Sequence, residues 1–202
     1  EKEKIDFLKS KLNSKKNIIN KFQFKNKENK EVWSTFNLLS KEPSECLGAY
    51  VISMTSSASD ILSVSFLQKE AKIKNKLRVV PLFETLDDLI NAKSIMENLF
   101  SHKWYRNLIK HKQEVMIGYS DSSKDAGKMC ASWHQYKAQE EIVKLGNKYK
   151  IDITFFHGRG GSAGRGGGPI QATLRSLPPH SVNGKIRITD QGEVIQQKYG
   201  YE

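Results

Sequence analysis

Cysteine is scarce. Cys46 and Cys130 lie far apart and form no CxxC pair. That excludes a disulfide scaffold and a cysteine zinc site, and it favours a reducing compartment, so a cytoplasmic location is expected. Long apolar runs are also missing: nothing approaches the ~18 residues of a transmembrane span, so no membrane partner is expected. The opening residues, Glu1-Lys2-Glu3-Lys4, do not have the form of a signal peptide. Two phosphate-loop signatures are absent as well. There is no GxxxxGK[ST], and no glycine motif is followed at the right distance by an acidic strand end, which excludes a Walker loop and a dinucleotide fingerprint. Acidic residues are outnumbered: Lys plus Arg is 33 against 22 Asp plus Glu, a formal charge of +11 over 202 residues. A chain of this length fits one domain, or two at most, and needs no metal or disulfide staple to fold.

The positive excess is uneven. Residues 1–30 contain ten Lys, no Arg and only four acids, Glu1, Glu3, Asp6 and Glu28. Clustered bases suit a nucleic-acid surface, because they release counterions from phosphate. The same segment also reads as a solvated helix, with Ile5, Leu8, Leu12, Ile19 and Phe22 forming one apolar stripe among lysines. Specific phosphate readers tend to use arginine forks, so the helix reading is preferred and nucleic acid is not expected as a partner.

From residue 48 the pattern changes. Short apolar segments at 48–54, 77–83, 114–119, 151–156 and 184–189 read as strands. Helical periodicity fills 59–72, with Ser59 or Asp60 as cap, and the stretch opened by Thr85 or Asp87 that carries Leu89, Ile90, Ile95, Met96 and Leu99. It also fills 126–149. Strands alternating with helices imply parallel βαβ units. The expected fold class is therefore α/β, an incomplete parallel β/α barrel of TIM type. Residues 1–47 form a Lys-rich, mostly helical segment, and 48–202 form the partial barrel. Three strands end in Glu84, Asp121 and His157. Polar residues at the carboxyl ends of successive parallel strands meet at one mouth, where a barrel keeps its active site.

Seven of the 14 glycines fall within 158–168, in the run His157-Gly158-Arg159-Gly160-Gly161-Ser162-Ala163-Gly164-Arg165-Gly166-Gly167-Gly168-Pro169. Glycine lets backbone amides approach an anion, and Arg159 and Arg165 add guanidinium forks for phosphate or carboxylate. Pro169 is placed to open a following helix. Glu84 and Asp121 suit a hard divalent cation such as Mg²⁺, although each could equally cap the next helix. Lys124 could neutralise a phosphate or an enolate, and His157 could move protons near neutral pH. His102, His111, His134 and His180 read as surface or capping residues. Trp104-Tyr105 and Trp133 with Tyr136 read as packing.

These segments resemble a known family. Tyr50-Val51-Ile52-Ser53-Met54, Val80-Pro81-Leu82-Phe83-Glu84-Thr85 and Met116-Ile117-Gly118-Tyr119-Ser120-Asp121-Ser122-Ser123-Lys124-Asp125-Ala126-Gly127 are similar to phosphoenolpyruvate carboxylase. So are the glycine–arginine run and Arg187-Ile188-Thr189-Asp190-Gln191-Gly192-Glu193. The resemblance implies carboxylation of phosphoenolpyruvate by bicarbonate to oxaloacetate and phosphate, with Mg²⁺ or Mn²⁺. It implies Glu84 and Asp121 as metal ligands, and His157, Arg165 and Lys124 as catalytic groups. Arg159, Gly160, Gly161 and Gly164 would bind phosphate. Ser123, Ala163, Gln171 and Leu177-Pro178-Pro179 depart from the usual pattern without removing a proposed catalytic group. Members of the family are several-fold longer and homo-oligomeric, so the chain is expected to be an internal fragment without activity of its own. The alternatives are a phosphate- or RNA-binding module, or another barrel enzyme handling phosphoenolpyruvate.

Overall fold

The computed structural model describes residues 1–19, 24–160, 168–191, 195–196 and 199–200. The chain forms two compact units, Glu1–Tyr50 with Ser57–Val79, and Val51–Ser56 with Val80–Glu202.

The first unit is helical. Helix α1 spans Lys2–Asn13, α2 Lys27–Leu39 and α3 Ala58–Glu70, with a 3₁₀ turn at Ser44–Cys46. Ile5 and Leu8 of α1, Phe36 of α2 and Ile61, Leu62 and Phe66 of α3 form its core. The apolar stripe predicts a longer first helix than the one seen. Helix α1 stops at Asn13, and Ser14 is already extended. Beyond it, the amides of Ile18 and Ile19 donate to the Glu70 carboxylate at 2.6 and 2.9 Å, a tertiary partner that replaces helical bonding. Phe22 lies outside the described residues. Helix α3 is capped by Ser57 rather than Ser59 or Asp60. Asp60 closes a capping box by accepting from the Ser57 amide at 2.8 Å.

The second unit is built on a sheet in the order β1-β2-β3-β4-β5, with β1 Ala49–Ile52, β2 Arg78–Phe83, β3 Lys112–Gly118, β4 Asp152–Gly158 and β5 Arg187–Ile188. The strands are parallel and curl into half a barrel, as the alternation of segments predicts. The fifth strand is only two residues long, shorter than the 184–189 segment. Helices α4 (Leu86–Ser101), α5 (Lys103–Leu108), α6 (Ser120–Ala126), α7 (Lys128–Tyr149) and α8 (Ile170–Ser176) complete the βα units. The helical stretch read from about 126 to 149 is α7, and the short α6 before it, which the sequence reading does not include, ends at Gly127. That glycine has φ +77°, a left-handed conformation that ends α6 and starts α7 in a new direction. Pro169 precedes α8 as its cap rather than standing inside it.

Register fixes which side chains share a face. Phe83, Ile117, His157 and Ile188 stand level, and so do Leu82, Met116, Phe156 and Arg187 one residue earlier. Successive side chains alternate between faces. The face carrying Val115, Ile117 and Phe155 is fully buried under the helices. Gly146 of α7 lies against Ile153 so closely that an added Cβ would be 2.6 Å from its Cγ1. Tyr105 of α5 donates to Gln113 at 2.8 Å on the same side. The other face is more open. On it the Arg187 guanidinium lies 4.4 Å over the Phe156 ring and pairs with buried Glu114 of β3. Trp133, read as packing, is instead 59% exposed and stacks on Tyr136. Among the described residues no helix is long and apolar enough to cross a membrane.

Candidate active site

The site begins where β2 and β3 end. Glu84 leaves β2 on the open face. It fits there because its neighbour across the sheet is Gly118: a Cβ at that position would sit 2.6 Å from the Glu84 Cβ. The turn after Glu84 is fixed by Asp88, whose carboxylate accepts from the amides of Glu84 and Thr85 at 3.2 and 3.1 Å. The Asp88 amide in turn donates to the Thr85 hydroxyl oxygen at 3.1 Å, a capping box that starts α4. The capping role that spacing allows for Glu84 is thereby taken by other residues, since Thr85 and Asp88 do the capping.

Asp121 stands in the first turn of α6. Helix α6 is anchored inward by Ser122, which is fully buried. Gln135 of α7 donates to the Ser122 hydroxyl at 2.8 Å and to the Gly118 carbonyl at 3.3 Å. Outward, Asp125 accepts from the Leu86 amide at 3.1 Å, at the start of α4. Asp121 lies near enough to Glu84 for its charge to act on that carboxyl. Burial, and then the charge of Asp121, push the Glu84 carboxyl above its ordinary range. Lys124 pairs with Asp121 at 2.9 Å. Lys124 offsets one of the two negative charges. A hard divalent ion that takes a few carboxylates plus water and substrate oxygens fits the pair. Among the described residues no group of three or more Asp, Glu, His or Cys side chains is arranged to hold a metal alone, and such an ion does not require one.

His157 belongs to a second cluster. Its imidazole is 1% exposed and lies on the helix-covered face, with Phe155 6.4 Å away. The Tyr119 hydroxyl is hydrogen-bonded to His157 Nδ1 at 2.8 Å. Burial, reinforced by the nearby Arg159 charge, holds the imidazole down at about 4. Burial pushes the Tyr119 phenol up to about 12, against the pull of Arg159. The Arg159 guanidinium lies 5.9 Å from the Tyr119 ring and donates to Thr173 of α8. The Thr189 hydroxyl donates to the Arg159 carbonyl at 2.7 Å, which fixes the backbone where the glycine run begins.

The structure thus brings Glu84, Asp121 and Lys124 together, and groups His157 with Arg159. Side chains of Glu84 and His157 leave opposite faces of the sheet, and Ser120 is the one residue between Tyr119 of one cluster and Asp121 of the other. Gly160 is buried beside Arg159. Arg165, Gly161 and Gly164 lie outside the described residues. Sequence reasoning missed Tyr119, Asp88, Asp125, Gln135, Thr173 and Thr189. Strand alternation carried a signal for Tyr119, which has the same parity as Ile117 and so falls on the face of His157.

Comparison with known proteins bears on this arrangement. A sequence model described as phosphoenolpyruvate carboxylase matches residues 1–202. The match takes in residues 1–47, which carry none of the motifs. Phosphoenolpyruvate carboxylase 3 of Arabidopsis thaliana is 52% identical over 195 residues, 96% of this chain and 20% of that protein. Phosphoenolpyruvate carboxylase of Flaveria pringlei is 50% identical over 202 residues, and the C4 phosphoenolpyruvate carboxylase of Flaveria trinervia 51%, each covering all of this chain and 21% of the relative. The chain spans about a fifth of the length of these curated relatives. With a match over the whole chain and relatives near 50% identity, the chain belongs to the phosphoenolpyruvate carboxylase family.

Proposed function

We propose that these residues form part of the active site of an enzyme that joins phosphoenolpyruvate and bicarbonate to give oxaloacetate and phosphate, acting within a longer polypeptide. The observation that carries this reading is the Glu84–Asp121 pair beside Lys124, at the carboxyl ends of adjacent parallel strands in a chain of this family. Glu84 and Asp121 would hold Mg²⁺ or Mn²⁺, which when bound supplies positive charge to phosphate and enolate oxygens.

A bicarbonate oxygen attacks phosphorus, forming one O–P bond as the enolate oxygen's O–P bond breaks. Carboxyphosphate then releases CO₂ and leaves phosphate. The enolate carbon attacks CO₂ and forms the new C–C bond. Every species on this path except CO₂ is anionic, so preorganised positive charge lowers the barriers. Lys124 supplies a point charge beside the acids. Arg159 and Arg165 supply forks for phosphate or carboxyphosphate. The family resemblance gives His157 the step that releases and captures CO₂, and here it stands neutral in the second cluster, on the face opposite Glu84. Closure of the glycine run would keep water from the enolate and from carboxyphosphate.

The test is a coupled assay for oxaloacetate on the full-length enzyme with phosphoenolpyruvate, bicarbonate and Mg²⁺. Glu84→Gln and Asp121→Asn are each expected to lower kcat/KM by about 100-fold or more. Product formation independent of bicarbonate would point instead to a kinase or mutase. The 202-residue chain alone is expected to give no oxaloacetate, and turnover by it would remove the need for further segments.

A further inference from the structure

Three consecutive amides at the end of β2 are bonded to carboxylates, and the carboxylates come from two different elements. The Glu84 and Thr85 amides donate to Asp88 of the same turn. The Leu86 amide donates to Asp125 at 3.1 Å, and Asp125 is on α6, 39 residues further along. Helix α6 is the element that carries Asp121 and Lys124. It is short, and it ends at Gly127, whose φ of +77° separates it from α7. Its near end is held to β3 through Ser122 and Gln135. Asp125, near its far end, ties it sideways to the turn that carries Glu84.

From this juxtaposition we propose that Asp125 is a positioning residue: by accepting the Leu86 amide it joins α6 to the β2–α4 turn and so sets the separation of the Glu84 and Asp121 carboxyls. The inference rests on the reading of that pair as a cation site. What matters at Asp125 is an acceptor oxygen in the right place, not its negative charge. Groups that orient ligands from behind commonly govern affinity as strongly as some ligands do. The bond is also well suited to this task. It lies at the surface, where its loss leaves the core of the unit intact, and it acts on the one backbone turn that Glu84 cannot move without.

The experiment measures Mn²⁺ binding to the full-length enzyme by electron paramagnetic resonance, without substrate, and compares wild type, Asp125→Ala, Asp125→Asn and Glu84→Gln. Asp125→Ala is expected to weaken Mn²⁺ about tenfold. Asp125→Asn keeps an acceptor oxygen for the Leu86 amide and is expected to stay within about threefold of wild type. In the coupled assay the Ala variant should raise the apparent KM for metal far more than it lowers kcat at saturating metal. Thermal unfolding of each variant confirms that the fold is retained. Wild-type affinity in Asp125→Ala overturns the proposal, as does equal weakening in the Ala and Asn variants, which would make charge the operative property. If Glu84→Gln binds Mn²⁺ as wild type does, the cation site itself is misassigned and the proposal falls with it.

Discussion

At the scale of the residue, the buried imidazole has the clearest consequence. His157 is 1% exposed, and burial together with Arg159 holds it at about 4, below the ordinary histidine value of about 6.5. The unfolded chain takes up this proton as pH falls through about 6.5, while the folded chain resists until about 4. Stability is therefore fully present above pH ~6.5 and is lost progressively between about 6.5 and 4, to the extent of about 3 kcal/mol. His157→Gln cannot titrate and should flatten this part of the profile. Denaturant midpoints for the two proteins across that range check it, and parallel profiles would show that His157 is not held neutral. The same residue explains why its face was not legible from its position. Its place at a strand end suggested the open mouth together with Glu84 and Asp121. Parity along β4 places it instead with Phe155, and the hydrogen bond to Tyr119 fixes it there.

At the scale of the element, α6 is a bracket whose placement depends on a neighbouring helix. Gln135 is 5% exposed and directs its amide group to Ser122 and Gly118. Replacing it by Leu keeps the volume and removes both donors, which should cost about 1–3 kcal/mol. Urea unfolding measures this, and an unchanged midpoint would mean that α6 is held by its own turn. The elements were legible wherever periodicity was strong. Helix α4 begins at Thr85 as its capping residues predict, because a Thr with Asp three positions on satisfies two amides locally. Strands β2, β3 and β4 follow from continuous apolar runs. Helix α6 was hidden because Ser120–Ala126 carries no apolar periodicity. The end of α1 was hidden because its cause, the Glu70 carboxylate, lies 52 residues away from Ile18. The candidate acids were legible as strand ends, whereas Asp88, Asp125 and Gln135 act through backbone amides that spacing does not reveal.

At the scale of the whole molecule, a formal charge of +11 with lysines crowded into the first 30 residues invites a nucleic-acid role. The first unit turns Ile5 and Leu8 inward and leaves the lysines as the solvated side of α1. Such a surface attracts polyanions weakly and without selectivity. Fluorescence anisotropy with single-stranded RNA should show no saturable binding near 0.15 M salt, and tight binding that survives that salt would revive the RNA-binding alternative.

The pair formed by Glu114 and Arg187 has a mechanical meaning at this scale. Strand β5 is stitched to β4 by a hem of two residues, too little backbone to keep a margin straight. The guanidinium reaches across an aromatic ring to grip an acid two strands inward, so the margin is fastened by a side-chain rivet.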